Sequence, residues 1–118
     1  VGRSHLTRCV LGVRSIVGDG CRFENVVMMG ADKYEATPGD PPTGVGAGSI
    51  VTDAIIDKNA RIGAGARLSP EGLEDGWVRI NEEEPENHPD NRALYVRDGV
   101  LVVLKNATVR KNVVVGES

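Results

Sequence analysis

Large apolar side chains recur along this chain at a spacing of six. Leu11, Val17 and Phe23 are six apart, as are Val45 and Val51; Ile56, Ile62 and Leu68 resume the spacing after one shortened step. Four residues after each comes a small or modest side chain: Ser15, Cys21, Val27, Ser49, Ile55, Ala60 and Ala66. A period of six is the hexapeptide pattern of a parallel β-helix, in which short strands build three flat walls. The large position is expected to point inward and the small one to pack close to a corner. Gly18, Gly46 and Gly63, each next to a large position, are expected where the backbone turns tightly and a positive φ is tolerated.

The chain also repeats itself over longer distances, as stacked coils should. Ile56-Asp57-Lys58-Asn59-Ala60-Arg61-Ile62 aligns with Val103-Leu104-Lys105-Asn106-Ala107-Thr108-Val109 at an offset of 47. Val17-Gly18-Asp19-Gly20-Cys21 aligns with Val45-Gly46-Ala47-Gly48-Ser49 at an offset of 28. Three hexads make a coil of roughly 18 residues, stacked at about 4.8 Å. Each offset is then one coil plus an excursion. The Pro- and Gly-rich stretch 31–44 supplies the first, and the acidic, proline-containing stretch 69–96 supplies the second. On this register Met28, Ile56 and Val103 stack in successive coils, and so do Gly30, Lys58 and Lys105. The predicted fold is a single all-β domain over 1–118, a hexapeptide-repeat solenoid of about four coils with two excursion loops.

Composition fits a narrow aliphatic prism. Gly is present 15 times in 118 residues and aromatics make up only 3%, so glycine stands at about twice its usual share of roughly 7%. Parallel strands normally need helical crossovers to cover both faces of the sheet, and here the closed prism supplies that burial. The overall charge of −3 is unevenly spread. Residues 71–90 carry eight acids against Arg79 alone, a local −7 that leaves +4 on the rest. The acidic tract reads as a solvated loop. The basic remainder lacks the clustered Lys/Arg and stacking aromatics that nucleic-acid binding requires. No apolar stretch is long enough to span a membrane, and none has the form of a targeting peptide. Cys9 and Cys21 are twelve residues apart, on two different walls, so they are expected to be free, buried thiols in a reducing compartment. Because the chain opens in mid-pattern, it is expected to be a piece of a longer polypeptide.

Few residues carry chemistry. His5 and His88 are the only imidazoles, and neither has a Cys or acid at metal-ligand spacing. Glu82, Glu83 and Glu84 form a run and not a convergent pair. No catalytic residue and no metal site is assigned. The stacked lysines differ. Two ammonium groups one coil apart on the same wall repel, and an anion held between them relieves that repulsion. Asp57, next to Lys58, is placed to orient it. Two solvated lysines with no ligand remain the alternative.

The stretches VLGVRS, VVMMGADKYE, VGAGSIVTDAIIDKNARIG and DGVLVVLKNATVRKNVVV resemble the C-terminal β-helix domain of ADP-glucose pyrophosphorylase (glucose-1-phosphate adenylyltransferase) of the plant and cyanobacterial type. The resemblance covers nearly the whole chain. It implies a left-handed β-helix, an exception to the usual crossover hand, joined to an N-terminal nucleotidyltransferase domain. It also implies a parent enzyme that makes ADP-glucose and pyrophosphate from ATP and glucose 1-phosphate with Mg2+, for starch or glycogen synthesis. The implied partners are the enzyme's own catalytic domain, the subunits of a homo- or hetero-tetramer, and the effectors 3-phosphoglycerate (activator) and inorganic phosphate (inhibitor). The family's two activator lysines fall on Lys58 and Lys105, with Asp57 beside the first. The implied location is the plastid stroma for a plant or alga and the cytoplasm for a cyanobacterium. Two other readings stay open on the same prism: a hexapeptide acyltransferase, which needs a histidine base at a trimer interface, and a purely structural β-helix of a related sugar nucleotidyltransferase.

Overall fold

A computed structural model of the protein describes residues 4–31 and 44–116. The first excursion, 31–44, thus lies outside the described residues except for its two ends. The strands are β1 (His5–Thr7), β2 (Val10–Leu11), β3 (Arg22–Met28), β4 (Gly44–Val45), β5 (Ile50–Ile56), β6 (Arg61–Ile62), β7 (Arg67–Leu68), β8 (Gly76–Trp77), β9 (Leu94–Arg97), β10 (Val100–Val103), β11 (Thr108–Val109) and β12 (Val114–Val115). A 3-10 turn at Pro89–Arg92 is the one helical element among the described residues.

The large positions of the six-residue period stack into three columns through parallel pairing. Leu6, Phe23, Val51, Leu68 and Val115 form the first wall. Leu11, Met28, Ile56 and Val103 form the second. Val17, Val45, Ile62 and Val109 form the third. All but Leu6 and Leu11, on the first rung, are buried in one core cluster. Removing these side chains from water is the main force holding the rungs together, at about 1.5–3 kcal/mol for each fully buried Val, Leu or Ile. The first two walls belong to one sheet and the third is a separate three-stranded sheet.

The coil is 17 residues long, as from Val51 to Leu68, and not 18. Two of its corners are two-residue turns whose second residue is left-handed, such as Gly20, Gly48 and Gly65. The corner between the first and second walls is tighter. Here β3 and β5 run straight through, bent by single left-handed residues, Asn25 (φ 56) and Asp53 (φ 50). Their side chains are linked from rung to rung: Asn25 Nδ2 donates to the Asp53 carboxylate at 2.8 Å, and Arg8 Nε donates to Asn25 Oδ1 at 2.6 Å. Losing one residue there shifts the inward register. Val26 and Ala54 point into the core, while Val27 and Ile55, expected at the corner, are each 38% exposed.

The glycines beside the large positions also have a different role from the one expected. Gly18, Gly46 and Gly63 do not take positive φ. They let successive rungs approach: a Cβ on Gly46 would lie 2.5 Å from the backbone nitrogen of Ala64 on the next rung. The adjacent small column lines that contact, where Ser49 Oγ sits 2.9 Å from the Gly46 carbonyl and 3.2 Å from that of Gly63. Both cysteines are free, Cys21 buried and Cys9 half-buried.

The acidic stretch 69–96 keeps most of its carboxylates in solvent, Glu71, Glu74, Asp75, Glu82, Glu83 and Glu86 being exposed, but its backbone is an ordered, hydrogen-bonded lobe. It leaves the first wall after Leu68 and returns through a hairpin, β9 antiparallel to β10, turned at Asp98 and Gly99 with φ of 52 and 77. The Asp75 carboxylate accepts from the backbone N–H of Asp98, and β8 pairs antiparallel with β9. The second wall therefore continues past its last parallel rung into β9 and β8, which cover a strand edge that would otherwise be open. Ala93, Leu94 and Val96 join the core. Asn91, 2% exposed, organises the rest. Its carbonyl accepts from Asn81 N–H at 2.8 Å, and its amide nitrogen lies within 3.4 Å of the carbonyls of Asn81, Glu84 and Pro85. A buried amide satisfied on both ends fixes a loop that charge repulsion alone would expand.

Candidate functional site

The corner between the second and third walls carries the predicted lysines. Each rung contributes a turn there: Val13-Arg14, Gly30-Ala31, Lys58-Asn59 and Lys105-Asn106. Backbone hydrogen bonds tie equivalent positions from rung to rung. Ala31 N–H donates to the Val13 carbonyl at 3.2 Å, Asn59 N–H to Gly30 at 3.1 Å, and Asn106 N–H to Lys58 at 2.9 Å. Residues 13, 30, 58 and 105 therefore form one column, with Lys58 and Lys105 on consecutive rungs about 4.8 Å apart along the stack. Arg14, Asn59 and Asn106 take the left-handed conformation (φ 59, 61 and 62) that turns the chain, a conformation asparagine tolerates better than most residues. That preference explains why Asn follows each lysine.

Both lysines are exposed, on a convex ridge. Asp57 is half-buried at the base of the turn. Its N–H donates to Val103 O at 2.9 Å, and its Oδ1 accepts from the Lys58 backbone N–H at 2.7 Å. The carboxylate thus fixes the turn from which the Lys58 side chain departs. Leu104, its counterpart one rung up, has no such group and instead donates its N–H to Ala93 O in the lobe. Arg14 lies on the same corner, two rungs below Lys58, with Nη1 3.3 Å from the Ala31 carbonyl. Sequence reasoning did not single it out, although Val13-Arg14 holds the place in the first coil that Lys58-Asn59 holds in the third.

The structure does not bring the remaining candidates together. His5 is exposed on β1. His88 caps the 3-10 turn, its Nδ1 accepting from Asp90 N–H at 3.1 Å. Its Nε2 is 3.9 Å from Glu84 Oε2, and Arg110 Nε reaches Asp90 Oδ2 at 3.6 Å, which ties the lobe to the third wall. A cavity of about 640 Å³ here is lined by Glu82, Glu83, Glu84, His88, Asp90 and Arg110, without either lysine. Among the described residues no three His, Cys, Asp or Glu side chains converge to hold a metal.

A second surface adjoins the lysine corner. Val10, Val27, Ile55, Val102, Tyr95 and Trp77 fall in register across six strands of the second wall. Val10 is 64% exposed and Trp77 45%. Ile55 and Val102 each precede a lysine by three residues, so this apolar column and the corner share two rungs. Val102 and Tyr95, between Ile55 and Trp77, are half-buried, so the column is a partly exposed apolar stripe along the wall.

Comparison with known families identifies the domain. Residues 1–114 match the family model of the GLGC left-handed parallel β-helix domain, and that match supplies the hand of the coil. With its three stacked columns and hexapeptide spacing, the chain belongs to this family, as the C-terminal left-handed β-helix domain of the GLGC nucleotidyltransferases.

Proposed function

We propose that this chain is the regulatory and assembly domain of a glucose-1-phosphate adenylyltransferase, and that Lys58 and Lys105 hold a phosphate-bearing effector. The observation that carries this reading is the rung-to-rung register of the two lysines, together with the family to which the chain belongs. The parent enzyme would form ADP-glucose and pyrophosphate from ATP and glucose 1-phosphate in its N-terminal domain, where Mg2+ would act. The part played by these 118 residues is to bind the effector and to couple that binding to the catalytic domain.

The physical logic is one of paired charges on a ridge. Two like charges on adjacent rungs destabilise each other by some tenths of a kcal/mol, and an anion between them turns that penalty into attraction. At an exposed corner each ammonium–phosphate pair contributes about 1 kcal/mol or less. The lysines alone therefore hold phosphate weakly. A second surface that excludes water would strengthen both contacts, and the apolar column on the same rungs is where the catalytic domain would seat. 3-Phosphoglycerate or phosphate would then favour one arrangement of the two domains over another, with a coupling of about 1–3 kcal/mol typical of allosteric pairs.

Asp57 offers a test that separates orientation from charge. In the enzyme that carries this domain, Asp57→Ala removes the acceptor for Lys58 N–H, and the activator concentration for half-maximal effect should rise about three- to tenfold, the loss of roughly one hydrogen bond. Asp57→Asn keeps an acceptor and removes a negative charge, so its activation curve should match the wild type or shift to lower activator. Equal weakening by both variants would mean that the carboxylate charge matters and the turn does not.

A further inference from the structure

The lobe holds a preformed cleft apart from the lysine corner, sharing with the apolar column only Trp77, on the outermost strand of that wall. It measures about 230 Å³ and is lined by Trp77, Arg79, Glu86, Asn91 and Arg92. Its walls are fixed from behind. Asn91 is buried and bonded at both ends of its amide, and Arg79 Nη2 donates to the Glu84 carbonyl at 2.7 Å. Tyr95 packs edge-on to Trp77, with ring centroids 5.2 Å apart and planes at 88°. The Arg92 guanidinium lies 4.6 Å from the Trp77 ring centroid. Trp77 nevertheless stays 45% exposed, an unusual position for the chain's single tryptophan. Glu86 is exposed and, among the described residues, makes no hydrogen bond or ion pair.

These groups define a ligand by elimination. An anion would gain little from the two guanidiniums of the cleft, because Glu86 stands beside them, Arg79 is already held by the Glu82 and Glu84 carbonyls, Arg92 lies over the indole, and residues 71–90 around them carry −7. A cation would meet two guanidiniums, one of which already lies over one face of the indole, while Trp77 keeps 45% of its surface exposed. What fits is a neutral molecule with an apolar edge for Trp77, donors for Glu86 and acceptors for Arg79 and Arg92. Small-molecule sites are built this way, with an apolar wall and a few placed polar groups, and a volume below the usual ~300–1,000 Å³ admits only a compact ligand. A pyranose ring, with C–H groups on one face and hydroxyls around its rim, has this chemistry. We propose that the Trp77 cleft is a binding site for one ring of a neutral saccharide, separate from the lysine corner.

Because Trp77 is the sole tryptophan, its fluorescence reports the cleft directly. The intact chain would be titrated with maltotriose and, in parallel, with inorganic phosphate. The expected result is a saturable change in emission with maltotriose and none with phosphate. Binding should weaken about tenfold or more in both Arg92→Ala and Glu86→Gln, the loss expected for a hydrogen bond to a charged group. Glu86→Gln removes an exposed, unpartnered charge, so the fold is retained, and an unchanged unfolding midpoint would verify this. Lys58→Ala and Lys105→Ala should leave the sugar response intact, which keeps this test independent of the effector reading. No saturable response to the sugar, a response unaffected by both cleft variants, or a response to phosphate alone would overturn the proposal.

Discussion

In the enzyme that carries this domain, Lys58→Ala and Lys105→Ala should each raise the activator concentration for half-maximal effect about tenfold or more, while turnover without activator stays within about twofold of wild type. The magnitude follows from a charge-assisted contact in a site closed by a second surface, about 1.5–3 kcal/mol each, where 1.4 kcal/mol is a factor of ten. The two variants should act alike because their side chains leave equivalent turns on consecutive rungs, joined by the Asn106 N–H to Lys58 carbonyl bond. Lys105→Arg preserves the charge and should retain most of the response. The comparison is made by measuring ADP-glucose formation against 3-phosphoglycerate concentration. Activation curves that superimpose for wild type and both alanine variants would rule out an effector role for the ridge.

The second large effect concerns the prism itself, and it reverses the usual expectation for glycine. Gly46→Ala should destabilise the domain by about 3 kcal/mol or more, at the upper end of overpacking costs, and lower its melting temperature by on the order of 10 °C. The new methyl would sit 2.5 Å from Ala64 N and 2.7 Å from Ala64 Cα. Both are backbone atoms held in the ladder by bonds such as Gly46 N–H to Ile62 O at 2.7 Å, so relief requires the rungs to part. Gly48→Ala is the control. Gly48 takes φ +72, but nothing lies within 4 Å of its added Cβ, so the cost is the left-handed penalty of about 1–2 kcal/mol. Thermal or urea unfolding of the two variants decides the order. A larger loss at Gly48 would mean that turn conformation, and not rung spacing, governs the stack.

That contrast shows what the amino-acid pattern reveals and what it hides. The inward columns are plain in the sequence because each must be large and apolar at a fixed interval, and the stacking of residues 58 and 105 follows from repeat arithmetic alone. The glycine roles do not, since a glycine needed for close approach and one needed for positive φ look the same as letters. The short corner at Asn25 and Asp53 is likewise concealed: a single left-handed residue deletes one position, and Val27 and Ile55, read as packed at a corner, face outward along the wall. In the acidic stretch, high charge and proline masked an ordered lobe whose organiser, Asn91, is one amide among several. A turn signal was available there, because Asp98-Gly99 between two apolar runs is a strong mark of a two-residue hairpin. The candidate site divides in the same way. Lys58, Lys105 and Asp57 can be read from the repeat. The apolar column beside them emerges only when six strands, two of them antiparallel additions, are laid in register.

The most direct measurement is a phosphate titration of this chain followed by NMR, on wild type, Lys58→Ala, Lys105→Ala and the double variant. A shared anion predicts saturable shifts at both lysines with one common dissociation constant, and a double variant that loses little beyond either single one. Shifts that saturate independently, or no saturable shift at either residue, would contradict a shared site on the ridge.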